Sequence, residues 1–169
     1  MGSDTTRSVE QRWSGRSATG SVILPLDGVL TNLPAALSVP EIVLKRKAEA
    51  HLTLLSTREA EQLATRLPEA NWQAVFDAEG WRIGLIDALD LLREERPSEP
   101  TRYSVIRHMD CPSLNGFRRR LAAMSGLDLP DTLPHVTLFI GGHERGIGLS
   151  SLADYTRFLL RPLTPKEWP

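Results

Sequence analysis

His51-Leu52-Thr53-Leu54-Leu55-Ser56-Thr57-Arg58-Glu59 is the stretch on which the reading of this chain turns. In an extended strand successive side chains point to opposite faces, so His51 and Thr53 project together while Leu52 and Leu54 face a core. Ser56 and Glu59 then have the spacing of a capping box, which ends the strand and starts a helix running to about Leu67. The frame recurs about half a chain length further on, as His135-Val136-Thr137-Leu138. The chain has 4 histidines, and two of them occupy this frame. His108 and His143 have no Thr two positions later.

Each motif therefore offers one imidazole and one hydroxyl on a single strand face. Two such strands set opposite each other surround one space with two imidazoles and two hydroxyls. That set suits in-line attack on a phosphate ester: one His takes a proton from the nucleophile, the other gives one to the leaving oxygen, and the hydroxyls hold non-bridging oxygens. Imidazole, with an ordinary pKa near 6.5, serves either role at neutral pH.

The paired His-x-Thr motifs, their separation and their strand-then-helix context resemble the two-histidine phosphoesterase superfamily, which includes RNA 2',3'-cyclic phosphodiesterases and 2'-5' RNA ligase-like proteins. The resemblance carries no match in residues 1–20 or beyond about residue 150. It implies an α+β, bilobal fold of two pseudo-symmetric halves, with antiparallel sheets lining a central cleft and helices outside. It also implies that His51 protonates the leaving ribose oxygen while His135 activates water, although the residues alone leave the two roles interchangeable. Some relatives place an Arg shortly after the second motif Thr. Here the continuation is Leu138-Phe139-Ile140-Gly141, so any such Arg is absent or supplied from elsewhere.

Composition narrows the setting. A chain of 169 residues with 41% hydrophobic residues can bury one core. The expected organisation is an irregular tail over 1–20 and a single domain over 21–169. A net charge of −1 argues against a protein that coats duplex DNA and suits a small phosphate ester or an RNA end. The lone Cys111 excludes an intramolecular disulfide and a multi-thiolate zinc site. No apolar run reaches transmembrane length. The expectation is a cytoplasmic monomer with no membrane partner.

Local patterns predict the remaining elements. Ser21–Leu30 contains a short strand, Glu41–Leu55 is a strand region, and Trp72–Phe76 and Gly80–Ile86 read as strand segments. Asp87–Arg96 reads as a helix and Thr101–Met109 as a strand. Pro112–Gly126 reads as a helix with Phe117, Leu121 and Met124 on one side, and Leu149–Leu160 as another. Arg118-Arg119-Arg120 reads as a solvated helix face, and Gly141–Gly148 as a Gly-rich loop whose Gly146-Ile147-Gly148 reads as a plain turn.

The candidate catalytic residues are His51, Thr53, His135 and Thr137. Tyr103 and Arg107, on one strand face by alternation, are candidate substrate contacts that stack on a base and neutralise phosphate. Lys47, with Lys45, shares parity with His51 if the strand from Glu41 is unbroken. No third metal ligand accompanies the two histidines, so neither metal nor cofactor is expected. The leading expectation is a metal-independent phosphodiesterase opening a 2',3'-cyclic phosphate of RNA ends or nucleotides. Alternatives are the same site acting on 2'-5' linked or cyclic-nucleotide substrates, and a non-catalytic module that binds nucleotides or RNA ends.

Overall fold

The computed structural model describes residues 11–168. Its elements are β1 (Val22–Pro25), β2 (Ala36–Ser38), β3 (Val43–Arg46), β4 (His51–Leu55), α1 (Thr57–Ala64), α2 (Glu69–Ala78), β5 (Gly84–Glu94), β6 (Arg102–Asp110), α3 (Pro112–Ser125), β7 (His135–Gly141), α4 (Leu152–Phe158) and β8 (Leu159–Pro162). The class is α+β. One antiparallel pair, β1–β4, stands beside a six-stranded antiparallel sheet of order β2-β3-β7-β6-β5-β8.

The main core lies where α1, α2 and α3 meet the apolar faces of both sheets. Leu63, Trp72, Phe76, Phe117 and Leu121 from the helices join Leu52, Leu54, Val136 and Leu138 from the motif strands, all buried. A smaller core of Leu92, Ile106, Ile147 and Leu149, with Tyr155 against it, covers the other side of the six-stranded sheet. Residues 11–20 are tied to the body. The Trp13 ring is 5.4 Å from Phe76, Arg16 bridges to Val22, and the Ser17 amide donates to the Ser21 carbonyl at 2.7 Å. The rest of the expected tail, 1–10, lies outside the described residues.

Four local expectations are corrected. The strand region 41–55 is broken: β3 belongs to the large sheet and β4 to the small one, and the chain crosses between them over Lys47–Ala50. The Lys47 amide still donates to the Leu138 carbonyl at 2.9 Å, and the Ala50 carbonyl already accepts from Leu26, β1's continuation. Trp72–Phe76 is helical. Trp72, Val75 and Phe76 are its buried residues, spaced i, i+3, i+4, and burial of that stripe overrides the β preference of Trp, Val and Phe. Asp87–Arg96 is not a helix, since β5 continues to Glu94 between β6 and β8. Register shifts between Leu85 and Leu89 and at Leu91/Leu92 interrupt its alternation and hide the period-two signal. The last expected helix stops at Phe158, and the chain leaves it as an edge strand, β8.

The capping box is present as expected. The Ser56 hydroxyl accepts from the Glu59 amide, and the Glu59 carboxylate accepts from the Ser56 amide. Gly126, in the left-handed region at φ 72°, ends α3.

Candidate functional site

β4 and β7 present their motifs as alternation requires. Leu52, Leu54, Val136 and Leu138 are buried, while His51, Thr53, His135 and Thr137 are half-buried on the opposite faces. All four polar residues line one cavity of about 500 Å³. The two motifs reach it from different sheets. The Ser17–Thr19 turn, Ser56 and Thr57 at the start of α1, and the loop Arg145–Ser150 form other walls.

The histidines differ in surroundings. His135 Nδ1 lies 2.8 Å from the Leu133 carbonyl. A carbonyl can only accept, so Nδ1 carries the hydrogen and Nε2 keeps its lone pair. Burial pushes the His135 pKa below the usual histidine range; the bond to Leu133 opposes this, and His108 and His51 add to the lowering. His51 is also lowered, by burial first and then by Lys47, while Glu49 opposes. The His51 Nδ1 is buried and makes no hydrogen bond within the described residues, but Glu49 Oε1 is 3.8 Å from it. Lys47 and Glu49 thus both stand near His51 with opposite effects, while His108 and His51 are the titratable neighbours of His135.

Lys47 lines the cavity although its strand is broken, because the crossing segment passes the rim. Tyr103 and Arg107 do not line it. Arg107 sits across from Val136, so it faces the side of the sheet opposite His135, and it donates to the Ile86 carbonyl and to Asp87. Tyr103 packs against the main core.

Two features escaped the sequence reading. Arg118 is not on a solvated face: it is 1% exposed and lies at the cavity floor. Its guanidinium donates to both Glu59 oxygens and to the carbonyls of Leu54, Pro130 and Ser150. A signal was present, because Leu114, Phe117, Arg118 and Leu121 are spaced i, i+3, i+4, i+7, the period of a buried stripe. The second feature is the Gly-rich loop. Arg145, Gly146 and Gly148 line the cavity, and a Cβ added to Gly146 would sit 3.3 Å from Thr137 Oγ1. Glycine lets this backbone lie against the motif hydroxyl.

Among the described residues no group of three or more His, Cys, Asp or Glu side chains is placed to hold a metal ion. No described helix is long and apolar enough to cross a membrane. Set against protein-family models, curated proteins and solved structures, the chain matches none.

Proposed function

We propose that this chain is a metal-independent phosphodiesterase that opens a 2',3'-cyclic phosphate on a nucleotide or RNA end. The observation that carries the reading is the convergence of both His-x-Thr pairs on one cavity from two separate sheets. His135, neutral and with Nε2 unprotonated, takes a proton from water as the water oxygen attacks phosphorus. His51, beside Glu49, gives its proton to the ribose oxygen as the P–O bond breaks. The products are a ribose phosphomonoester and a free hydroxyl, and the two histidines exchange protonation states. Thr53 and Thr137 donate to the non-bridging oxygens. Lys47 and Arg145 offset the phosphate charge, so Arg145 supplies from the following loop the cation that is missing directly after Thr137.

The same reading takes β4 and β7 as the central strands of two lobes that face each other across the substrate, in a cytoplasmic monomer. Its test is a panel of 2',3'-cyclic nucleotides, 2'-5' dinucleotides and cyclic-phosphate RNA ends, offered to purified, metal-free protein. Turnover that is lost on changing either His supports it. Tight binding of the panel without turnover would replace it with the nucleotide-binding module.

A further inference from the structure

One wall of the cavity is a turn that carries three hydroxyls, Ser17, Thr19 and Ser21. They touch one another. Ser17 Oγ is 2.9 Å from Ser21 Oγ and 3.0 Å from Thr19 Oγ1, and the latter two are 3.3 Å apart. The turn is fixed to the body. The Gly20 amide donates to the Ser17 carbonyl at 2.9 Å, and the Thr57 hydroxyl, at the start of α1, donates to the Thr19 carbonyl at 2.9 Å. β1 follows directly, and its Ile23 pairs with Thr53 of the first motif, both lining the cavity. Ser21 lines it too, while Val22 between them is buried. Strand geometry sets residues two apart about 6.6 Å from each other, so the hydroxyls stand a pentose's width along the chain from the pairing with Thr53.

The three hydroxyls have a definite polarity. Each has one hydrogen and two lone pairs. Their mutual contacts use the three hydrogens and leave each oxygen one lone pair, so the ring accepts hydrogen bonds. A sugar hydroxyl has a hydrogen to give it, and an ionised phosphate oxygen has none. Nothing comparable awaits a base. An unpaired base is ordinarily held by stacking on an aromatic side chain. Among the described residues no Phe, Tyr or Trp lines the cavity, and residues 1–10 and 169 contain none. The 4 Trp, Tyr103 and every Phe except Phe158 lie in or against the main core, while Tyr155 and Phe158 pack against the smaller one. Arg118 spends its guanidinium on protein acceptors.

We propose that Ser17, Thr19 and Ser21 form a subsite for a sugar hydroxyl, so that the cavity selects a ribose 2',3'-cyclic phosphate by its sugar and leaves the base unread. This rests on the reading of the cavity as a two-histidine phosphodiesterase site. A nucleoside 2',3'-cyclic phosphate has one free sugar hydroxyl, on the 5' carbon, and that group donates to the ring. At an RNA end the same oxygen is esterified and has no hydrogen. The preferred substrate is therefore a mononucleotide or a base-free ribose cyclic phosphate, and not the RNA end. With the phosphate held by the two motifs, the sugar extends past Thr53 and Ile23 toward the turn. The three hydroxyls bind and take no part in making or breaking bonds.

The test is kcat/KM on the 2',3'-cyclic phosphates of adenosine, cytidine, guanosine and uridine, on methyl β-ribofuranoside 2,3-cyclic phosphate, and on 5'-deoxyuridine 2',3'-cyclic phosphate. The first five should agree within about 3-fold, and the 5'-deoxy compound should be about 3–10-fold poorer than its uridine parent, the worth of one neutral hydrogen bond. In Thr19→Val, and in Ser17→Ala combined with Ser21→Ala, that preference for the 5'-hydroxyl should disappear while Tm stays close to wild type. A merely structural role would slow both compounds equally and keep the preference, and that result overturns the subsite. A wider spread among the first five, or a wild type indifferent to the 5'-hydroxyl, overturns it as well. If no protein turns over any compound, the hydrolase reading fails. The Kd values of the uridine and 5'-deoxyuridine compounds, by calorimetry on wild type and variants, then decide the subsite by the same comparison.

Discussion

Replacing Arg118 with Met keeps most of the stem that passes through the core and removes the guanidinium. The loss can be worked from what is left behind. Glu59, 8% exposed, keeps only the Ser56 amide, and the carbonyls of Leu54, Pro130 and Ser150 lose a charged donor. Removing one partner of a buried ion pair costs about 3–5 kcal/mol, since the remaining charge is uncompensated. In a domain of this size each kcal/mol lowers Tm by roughly 2–4 °C, so the expected drop is about 6–20 °C. Because the guanidinium ties the end of β4, the start of α1 and the loops at 130 and 150 together, the cavity walls should loosen with it. Glu59→Gln combined with Arg118→Met removes the stranded charge while keeping an acceptor for the Ser56 amide, and should recover part of the loss. Arg119→Ala on the same helix is the control. Its ion pair with Asp131 is largely exposed and screened by solvent, so its loss should leave Tm close to that of the wild type. Urea and thermal unfolding of the four proteins decide the matter. If Arg118→Met melts with the wild type, or no lower than Arg119→Ala, the guanidinium is not a bolt beneath the site and the network has been misjudged.

Further expectations concern the cavity itself. His51→Ala and His135→Ala should each lower kcat by about 10²–10⁴-fold with Tm little changed, and Thr53→Val or Thr137→Val by roughly 10–100-fold, read by steady-state kinetics on folded variants. Both histidines hold protons more weakly than the usual 6.5, so the unfolded chain takes up protons that the native state refuses; stability should be intact above pH 6.5 and fall as pH drops through and below it, with a shallower fall in His135→Leu, measured by melts from pH 7.5 to 5. Gly146→Ala brings a methyl to 3.3 Å from the Thr137 hydroxyl and should raise KM or lower kcat several-fold while leaving Tm nearly unchanged; unaltered kinetics would mean that substrate does not reach between loop and strand. Turnover should survive exhaustive chelation, and activity restored by zinc or magnesium after chelation would overturn the acid/base scheme.

What was legible in the sequence was local. Alternation over His51–Leu54 and His135–Leu138 is the covalent geometry of a strand, and it held there because one face is buried; beyond these residues both faces of the strands are buried. The Ser56–Glu59 box and Pro112 with Gly126 mark helix ends whose signals lie within a few residues. The failures are places where a tertiary feature erased the local period. The register shift in β5 breaks its alternation, and the crossing at Lys47–Ala50 splits what reads as one strand. In α2 the helical stripe Trp72, Val75, Phe76 was written in residues that favour strands.

The same division runs through the site. A histidine and a threonine two residues apart announce a shared face from sequence alone, so the four cavity-lining motif residues could be named early. The groups around them answer to no local rule. Arg118 meets Glu59 from another helix, and His108 meets Asp90 across the ladder and Tyr155 from a helix beyond it. Arg118 is buried against the Glu59 carboxylate, where desolvation makes an unmatched charge costly and therefore makes the pairing specific, and His108 lies half-buried against that of Asp90. Their places in the molecule differ in consequence. Arg118 spends every described donor on protein acceptors, which suits it to holding walls and not to binding phosphate. His108 keeps one ring edge on Asp90 and stands across the ladder from the His135 imidazole. Helical spacing alone exposes Arg118, whereas His108 becomes visible only when the β6–β7 register sets it against His135.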